Sequence, residues 1–186
     1  DRATRRQSQA RVLRLVTVFS LLKRWRKLSI LGEYIRMGAL DGKVCVVTGG
    51  AGSIGLATAR LFLAEGARVM LADLSQDELE RAGSSLDSSR VSLKAADVSQ
   101  AAQVQALMEA TAARWSGIDV LFSNAGNFGT VAPIDQYPEE VFDAVYAVHV
   151  KGAFLCAKYA VPLMRDGGSI VITSSVAGTR GDRVLV

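Results

Sequence analysis

The chain has 186 residues, enough for one domain with its own core, and almost half of them are apolar. Two cysteines in apolar runs, Cys45 and Cys156, and a single histidine, His149, predict reduced buried thiols, no disulfide framework and no metal site. Residues 1–36 hold ten of the 22 Lys and Arg but two of the 18 Asp and Glu, so the remainder carries a net charge of −4. Nucleic-acid binding by this acidic remainder therefore has little support.

The basic leader over residues 1–36 leaves three interpretations open. Its apolar stretch over residues 12–22 is short and contains Arg14, so we do not expect it to span a bilayer. Its arginine content with few acids is typical of a mitochondrial presequence, or of a basic helix that lies on a membrane surface. We favour a third interpretation, in which the native protein starts at Met37 and residues 37–186 are the folded domain.

A strand, a glycine cluster and a helix follow one another at the start of this domain. The valine-rich run over residues 43–48 predicts a buried strand, and residues 56–63 have the apolar spacing of a helix. Between them stands Gly50-x-Gly52-x-x-Gly55. Such a turn lets the backbone approach a pyrophosphate closely, and the following helix directs N–H groups and its positive dipole end at it.

The next predicted strand ends in an acidic residue. This strand covers residues 68–72 and leads into Asp73, 18 residues past Gly55. A carboxylate about 20 residues after the last glycine is typical of one that binds the ribose hydroxyls of a dinucleotide. The glycine cluster and Asp73 together predict a dinucleotide site.

The remaining segments alternate between helix and strand patterns. Helices are predicted over about residues 76–82, 101–115 and 139–164, and strands over residues 91–95, 118–122 and 169–173. This alternation predicts an α/β fold, a doubly wound parallel sheet of Rossmann type in three α/β/α layers, with the first strand central. Because the carboxyl ends of parallel strands share one edge, polar residues there should converge: Asp73, Asp97, Asn124, Ser174 and Ser175.

Six motifs extend this pattern along the chain. They are Thr48-Gly49-x-x-x-Ser53-x-Gly55, Asp73, Asp97-Val98, Asn124-Ala125-Gly126, Val150-Lys151-Gly152 and Gly168-Ser169-Ile170-Val171-x-x-Ser174-Ser175. With these motifs the chain resembles the short-chain dehydrogenase/reductase family from about Leu40 to Val186. The resemblance implies an oxidoreductase that passes a hydride between a nicotinamide cofactor and an alcohol or ketone carbon.

The resemblance also assigns residues to roles. It implies that Ser175 is catalytic and polarises the substrate carbonyl, and that a small-molecule alcohol or ketone is the substrate. It implies a homo-oligomer in the full-length form, with neither nucleic acid nor membrane as a partner. Because Leu74 rather than an arginine follows Asp73, we expect NAD(H) rather than NADP(H). The implied cofactor-binding residues are Thr48, Gly49, Gly50, Gly52, Ser53, Ile54, Gly55, Asp73, Leu74, Asp97, Val98, Asn124, Ala125 and Gly126.

The chain departs from the family pattern at three points. Ser53 stands where the family usually has its middle glycine, although Gly50, Gly52 and Gly55 remain. His149 stands where the family usually has an asparagine that holds a relay water, and we name it a second candidate catalytic residue. The family's Tyr-x-x-x-Lys pair would fall past Val186, so we expect the chain as written to be an N-terminal part with little turnover.

Two further functional hypotheses stay open at this point. One is a non-catalytic dinucleotide-binding protein, a sensor or an inactive remnant, which the missing Tyr/Lys pair would explain. The other is a membrane or nucleic-acid binder that acts through the basic leader. We expect a cytoplasmic protein, or a mitochondrial one if residues 1–36 are a genuine presequence.

Overall fold

The computed structural model describes residues 38–87, 89–175 and 178. The predicted leader over residues 1–36 and the predicted start at Met37 lie outside these residues. Within the described ranges, no helix is both long enough and apolar enough to cross a membrane.

The described part of the chain alternates strands and helices as predicted. The strands are β1 (Val44–Thr48), β2 (Arg68–Asp73), β3 (Val91–Ala95), β4 (Ile118–Ser123) and β5 (Met164–Ile172). The α-helices are α1 (Ser53–Ala64), α2 (Gln76–Gly83), α3 (Ala101–Trp115), α4 (Glu139–Tyr146) and α5 (Gly152–Ala160). All strand pairs are parallel, in the order β3-β2-β1-β4-β5. The doubly wound sheet with β1 near its centre is therefore confirmed.

Helices cover both faces of the sheet and give the molecule its three layers. Since successive strand residues point to opposite faces, Val46 of β1 packs in the core under α3 and α5, together with Leu107 and Leu155. Its neighbour Val47 packs in the core under α1 and α2, with Leu63. The all-apolar pattern of β1 is thus the pattern of a strand buried on both faces.

The segment over residues 139–164, predicted as one mostly helical stretch, is interrupted. After α4, a π-helical turn covers Ala147–Lys151, and a 3-10 turn over Val161–Leu163 follows α5. π-helical turns inside α-helices occur frequently at functional sites. The turn here contains His149.

The last strand begins earlier than predicted. β5 starts at Met164 rather than at residue 169, and its pairing with β4 shifts register between Ile118 and Val120. Arg165 holds the early part of the strand in place, since its guanidinium donates to the Asp119 carboxylate and to the Trp115 carbonyl. The residues between Arg165 and Ser169 are absorbed as a bulge-like irregularity in this pairing.

Candidate functional site

A cavity of about 990 Å³ lies at the carboxyl edge of the sheet. Of the five residues expected to converge at the strand ends, Asp73, Asp97 and Asn124 line it, whereas Ser174 and Ser175 do not. Four of the predicted site residues are not among its lining: Thr48, Gly50, Gly55 and Ser175. Twelve predicted residues do line it: Gly49, Gly52, Ser53, Ile54, Asp73, Leu74, Asp97, Val98, Asn124, Ala125, Gly126 and His149.

The first wall of the cavity is the glycine-rich loop with the start of α1. Gly49 has φ +66°, a left-handed conformation that favours glycine. Gly52 caps α1 without any side-chain hydrogen bond, and the first turn carries no acidic residue. The N–H groups of this turn and the positive end of the helix dipole therefore meet the cavity beside Ser53 and Ile54. An anionic group such as a pyrophosphate fits this chemistry.

The three motif glycines meet different surroundings. A Cβ on Gly50 would lie 2.8 Å from the Leu71 side chain, and one on Gly55 would lie 2.1 Å from the Gly49 carbonyl oxygen. A Cβ on Gly52 would meet nothing closer than 3.4 Å. The protein's own packing thus requires glycine at two positions, whereas at Gly52, which lines the cavity, a Cβ would make only an ordinary contact.

Asp73 ties the second strand end to the glycine-rich loop. Its Oδ2 accepts the Ala51 N–H at 2.9 Å, and its Oδ1 accepts the Leu74 N–H at 2.7 Å. A carboxylate offers about four lone-pair sites, so about two remain for a ligand. Asp73 also lines the cavity, which fits a carboxylate that receives two ribose hydroxyls.

The wall beside Asp73 contains charged residues that the sequence did not indicate. Glu78 and Arg81 of α2 line the same cavity, and Arg81 pairs with Glu78 at 4.0 Å. The absence of an arginine directly after Asp73 therefore does not mean that this wall lacks one. Only the fold of α2 over the end of β2 brings Arg81 there.

The ends of β1, β4 and β5 are joined by one hydrogen-bond network. The buried Thr48 Oγ1 accepts the N–H groups of Asn124 and Ala125, at 3.0 and 3.1 Å. The Asn124 amide donates to the Thr48 carbonyl, and its Oδ1 accepts the Thr173 hydroxyl at 2.9 Å. Thr48 thus acts behind the cavity wall. Thr173, which was not predicted, lines the cavity and could have been found as the residue before Ser174.

Asp97 and Val98 hold the end of β3. One Asp97 carboxylate oxygen accepts the Ser99 N–H at 2.8 Å, which fixes the turn into α3. Val98 packs so closely on α5 that a Cβ on Gly152 would lie 2.9 Å from its side chain. Both residues also line the cavity.

His149 reaches from the π-helical turn to the loop after β4. Its Nε2 lies 3.0 Å from the Asn127 nitrogen and 2.8 Å from the Asn127 oxygen. The ring covers Gly126, where a Cβ would come within 2.6 Å of Cε1. Asn127, which was not predicted, also lines the cavity.

Ser175 follows the end of β5. It is exposed, and its carbonyl accepts the Gly178 N–H at 3.1 Å. On the β5 side the cavity is lined by Thr173, two residues before Ser175. Ser175 is therefore two residues along the chain from the cavity lining and three residues past the end of β5.

Nine lining residues lay outside the predicted set. They come from the glycine-rich loop, α1, α2, the π-helical turn and the segments after β3, β4 and β5: Ala51, Leu56, Glu78, Arg81, Ala82, Ala96, Asn127, Val148 and Thr173.

Comparison with known proteins identifies relatives of the chain. Residues 43–185 match the family described as short chain dehydrogenase. The uncharacterized oxidoreductase YxbG of Bacillus subtilis is 39% identical over 149 residues, which are 78% of this chain and 55% of that protein. The levodione reductase of Leifsonia aquatica is 37% identical over 145 residues, 75% of this chain and 54% of that protein. The chain thus spans a little over half the length of these curated relatives.

Solved structures share the fold. A structure of NAD⁺-bound xylitol dehydrogenase superposes with a TM-score of 0.74 at 36% identity, over 79% of this chain and 58% of that one. The described strands and helices of this chain therefore have a counterpart that carries a nicotinamide dinucleotide.

Proposed function

The chain belongs to the short-chain dehydrogenase family, and from this premise we propose that the whole protein is an NAD(H)-dependent oxidoreductase acting on a small alcohol or ketone. The main support is the cavity at the carboxyl edge of the sheet. It is lined by the start of α1, which has no side-chain cap, and by Asp73. When bound there, NAD(H) accepts or supplies the hydride.

The residues of this chain bind and orient the cofactor in the proposal. The first-turn N–H groups of α1 hold the pyrophosphate, and Gly52 leaves the room that it needs. Asp73 accepts two ribose hydroxyls with the lone pairs that Ala51 and Leu74 do not use. Asp97 and Val98 lie along the adenine, and the Thr48–Asn124 contacts keep the loop after β4 beside the nicotinamide.

We expect NAD(H) to be preferred because negative charge dominates the wall beside Asp73. Asp73 and Glu78 together outweigh Arg81, which already pairs with Glu78. A ribose 2′-phosphate roughly 4 Å from the Asp73 carboxylate would be repelled by about 4 kcal/mol at an intermediate effective dielectric. The NAD⁺-bound state of xylitol dehydrogenase supports the same assignment.

Ser175 polarises the substrate oxygen in this proposal by donating a hydrogen bond to it. Its place in the chain supports the role, since Ser175 is exposed and follows Thr173 of the cavity lining by two residues. His149 is the second candidate catalytic residue, and its ring lines the cavity next to Asn127.

Turnover by the full-length protein tests the proposed activity. NADH absorbance is followed with a panel of secondary alcohols and ketones, for the wild type and for Ser175→Ala with Ser174→Ala as the matched control. We expect Ser175→Ala to lower kcat by roughly 10²-fold or more, the lower end of what acid–base positioning contributes. Equal activity of the wild type and Ser175→Ala would contradict the role of Ser175, and no turnover with any substrate would contradict the activity.

We also propose that the full-length protein forms a homo-oligomer through α4 and α5. Four apolar side chains at intervals of four residues are between 50% and 61% exposed: Phe142, Tyr146, Val150 and Phe154. Acidic residues begin this segment at Glu139, and Lys158 lies near its end, so two antiparallel copies would pair opposite charges. Light scattering should give a dimer or larger for the wild type and a smaller species for Phe154→Lys. A monomeric wild type would contradict this.

We propose a cytoplasmic location as well. Its support is that both cysteines are unpaired and buried, as is usual in a reducing compartment. Cell fractionation of the tagged protein tests it, and a mitochondrial signal would favour the presequence interpretation of residues 1–36.

A further inference from the structure

One ring nitrogen of His149 faces two backbone groups of the same residue. Its Nε2 lies 3.0 Å from the Asn127 nitrogen, which can only donate, and 2.8 Å from the Asn127 oxygen, which can only accept. A bare Nε2 accepts from the N–H, whereas a protonated Nε2 donates to the carbonyl. The ring therefore satisfies one of the two groups at a time, and its proton decides which.

The contact between His149 and Asn127 lies in the wall of the cavity, so a change in the loop after β4 would alter the site proposed for the cofactor. Asn127, Gly126 and His149 all line the cavity. The ring also covers Gly126, where a Cβ would lie 2.6 Å from its Cε1. When the His149 ring releases the Asn127 N–H, this wall of the cavity gains a hydrogen-bond donor, and when the ring binds it again the donor is lost.

We propose that His149 is a positioning residue that sets the loop after β4 according to its own protonation, and so makes dinucleotide binding dependent on pH. This inference rests on the proposed function only in naming the ligand. In the neutral form with the proton on Nδ1, the Asn127 N–H is held by the ring. In the imidazolium form, the ring holds the carbonyl, the N–H turns to the cavity, and a positive charge is added to the wall.

Protonation of His149 frees the Asn127 N–H and adds a positive charge, and both effects favour an anionic ligand. The affinity for a dinucleotide should therefore increase as the pH falls. Histidine changes charge between about pH 5 and 8, and His149 is the single histidine of the chain. No ion pair of the described residues includes it. The titratable and charged groups around His149 belong to its own turn, to the adjoining α4 and α5 and to the cavity wall. Lys151 lies on its own turn, Glu139, Glu140, Asp143 and Tyr146 on α4, and Cys156, Lys158 and Tyr159 on α5. The cavity wall adds Asp73, Glu78, Arg81 and Asp97.

A direct test follows the ring and the loop without any cofactor. In protein labelled with ¹⁵N and ¹³C, the imidazole signals that vanish in His149→Asn belong to His149. We expect the neutral ring to carry its proton on Nδ1, and the Asn127 amide signal to titrate with the same midpoint as the ring. A neutral ring protonated on Nε2, or an Asn127 amide that does not move with the ring, would overturn the proposal.

The second arm measures NADH affinity at pH 5.5 and 8.5. One net hydrogen bond is worth about a 2- to 10-fold change, so the wild-type Kd should be about 2- to 10-fold lower at the acidic pH. His149→Asn should bind with little pH dependence, because an amide accepts from the N–H and donates to the carbonyl simultaneously. His149→Gln serves as a second variant if His149→Asn fails to fold.

The outcomes separate the two proposals. A variant with the same pH dependence as the wild type would overturn the inference. An absence of dinucleotide binding at either pH would overturn the proposed function, while the NMR arm would still decide the role of His149.

Discussion

Gly52 and Gly55 stand three residues apart and should respond differently to the same substitution. A Cβ on Gly52 would make only one ordinary contact, 3.4 Å from the Gly49 carbonyl oxygen, and the backbone has φ −71°. Gly52→Ala should therefore change the free energy of unfolding by less than about 1 kcal/mol. The added methyl group enters the cavity where the pyrophosphate is proposed to approach. We expect the NADH Kd to rise about tenfold or more, as measured by fluorescence titration.

Gly55→Ala is the matched control. Its Cβ would meet the Gly49 carbonyl oxygen at 2.1 Å, so we expect a loss of about 1–3 kcal/mol or more in unfolding free energy. If Gly52→Ala binds NADH as tightly as the wild type, the loop does not hold the pyrophosphate as proposed.

The sequence predicts those site residues that belong to a short local motif, and it misses those that only the tertiary packing brings to the cavity. The glycine spacing and the position of Asp73 are local patterns, and of these residues Gly52 and Asp73 line the cavity. Arg81 and Asn127 have no such pattern, because they reach the cavity through the packing of α2 and of the loop after β4. The conflict at His149 Nε2 depends on distances within 3.0 Å and could not be predicted from residue type.

At the scale of elements, Asp119 joins three strands at the edge opposite the cavity. Its buried carboxylate accepts the Val44 N–H at the start of β1, together with Lys43 and with Arg165 of β5. Burial raises the pKa of Asp119, but the hydrogen bonds from Val44 and Lys43 and the charge of Arg165 outweigh it. The pKa of this carboxyl is therefore below its ordinary value.

A lowered folded-state pKa stabilises the protein above the unfolded pKa, about 3.9, and the stabilisation is lost as pH falls through the folded value. We expect Asp119→Asn to lower the free energy of unfolding by about 1.5–3 kcal/mol at pH 7, since it weakens hydrogen bonds to a charged group. The difference from the wild type should shrink below about pH 4, as measured by urea denaturation.

Lys43→Met provides the control for this prediction. The Lys43 side chain is 51% exposed, so its ion pair with Asp119 should contribute no more than about 1 kcal/mol. A difference between Asp119→Asn and the wild type that stays constant from pH 7 to pH 3 would contradict the account of Asp119.

Elements with a strong period were predicted closely, and irregular ones were not. The bounds of α3 agree at both ends, because its apolar residues Val104, Leu107 and Met108 follow the helical period and are buried. The early start of β5 was missed, since the side chain of Arg165 and a register shift against β4 hold it rather than any apolar alternation. The π-helical turn was missed as well, because its residue types also suit an α-helix.

Across the whole molecule, each helical layer contains one buried cysteine, so the reactivity of each thiol measures the packing of its own layer. Cys45 packs in the core under α1 and α2, and Cys156 packs in the core under α3 and α5. Burial raises the pKa of the Cys45 thiol to about 12 and that of Cys156 to about 11. Since the thiolate is the reacting form, neither should be modified in the folded protein at neutral pH.

We expect both thiols to react with a thiol reagent only after unfolding. Both modification rates should therefore increase with the urea concentration. Mass spectrometry of the modified peptides distinguishes the two sites. Rapid modification of Cys45 or Cys156 without denaturant would contradict the packing of the corresponding layer.

The central claim, an NAD(H) site built on the glycine-rich loop and Asp73, is tested most directly by titrating NADH and NADPH into the full-length protein. We expect NADH to bind at least about tenfold more tightly than NADPH. Asp73→Asn, which removes the charge but keeps an acceptor for Ala51, should largely remove this preference. Asp97→Asn removes a charge from the same cavity and should leave the ratio of the two Kd values nearly unchanged. Equal or tighter binding of NADPH by the wild type would contradict the account.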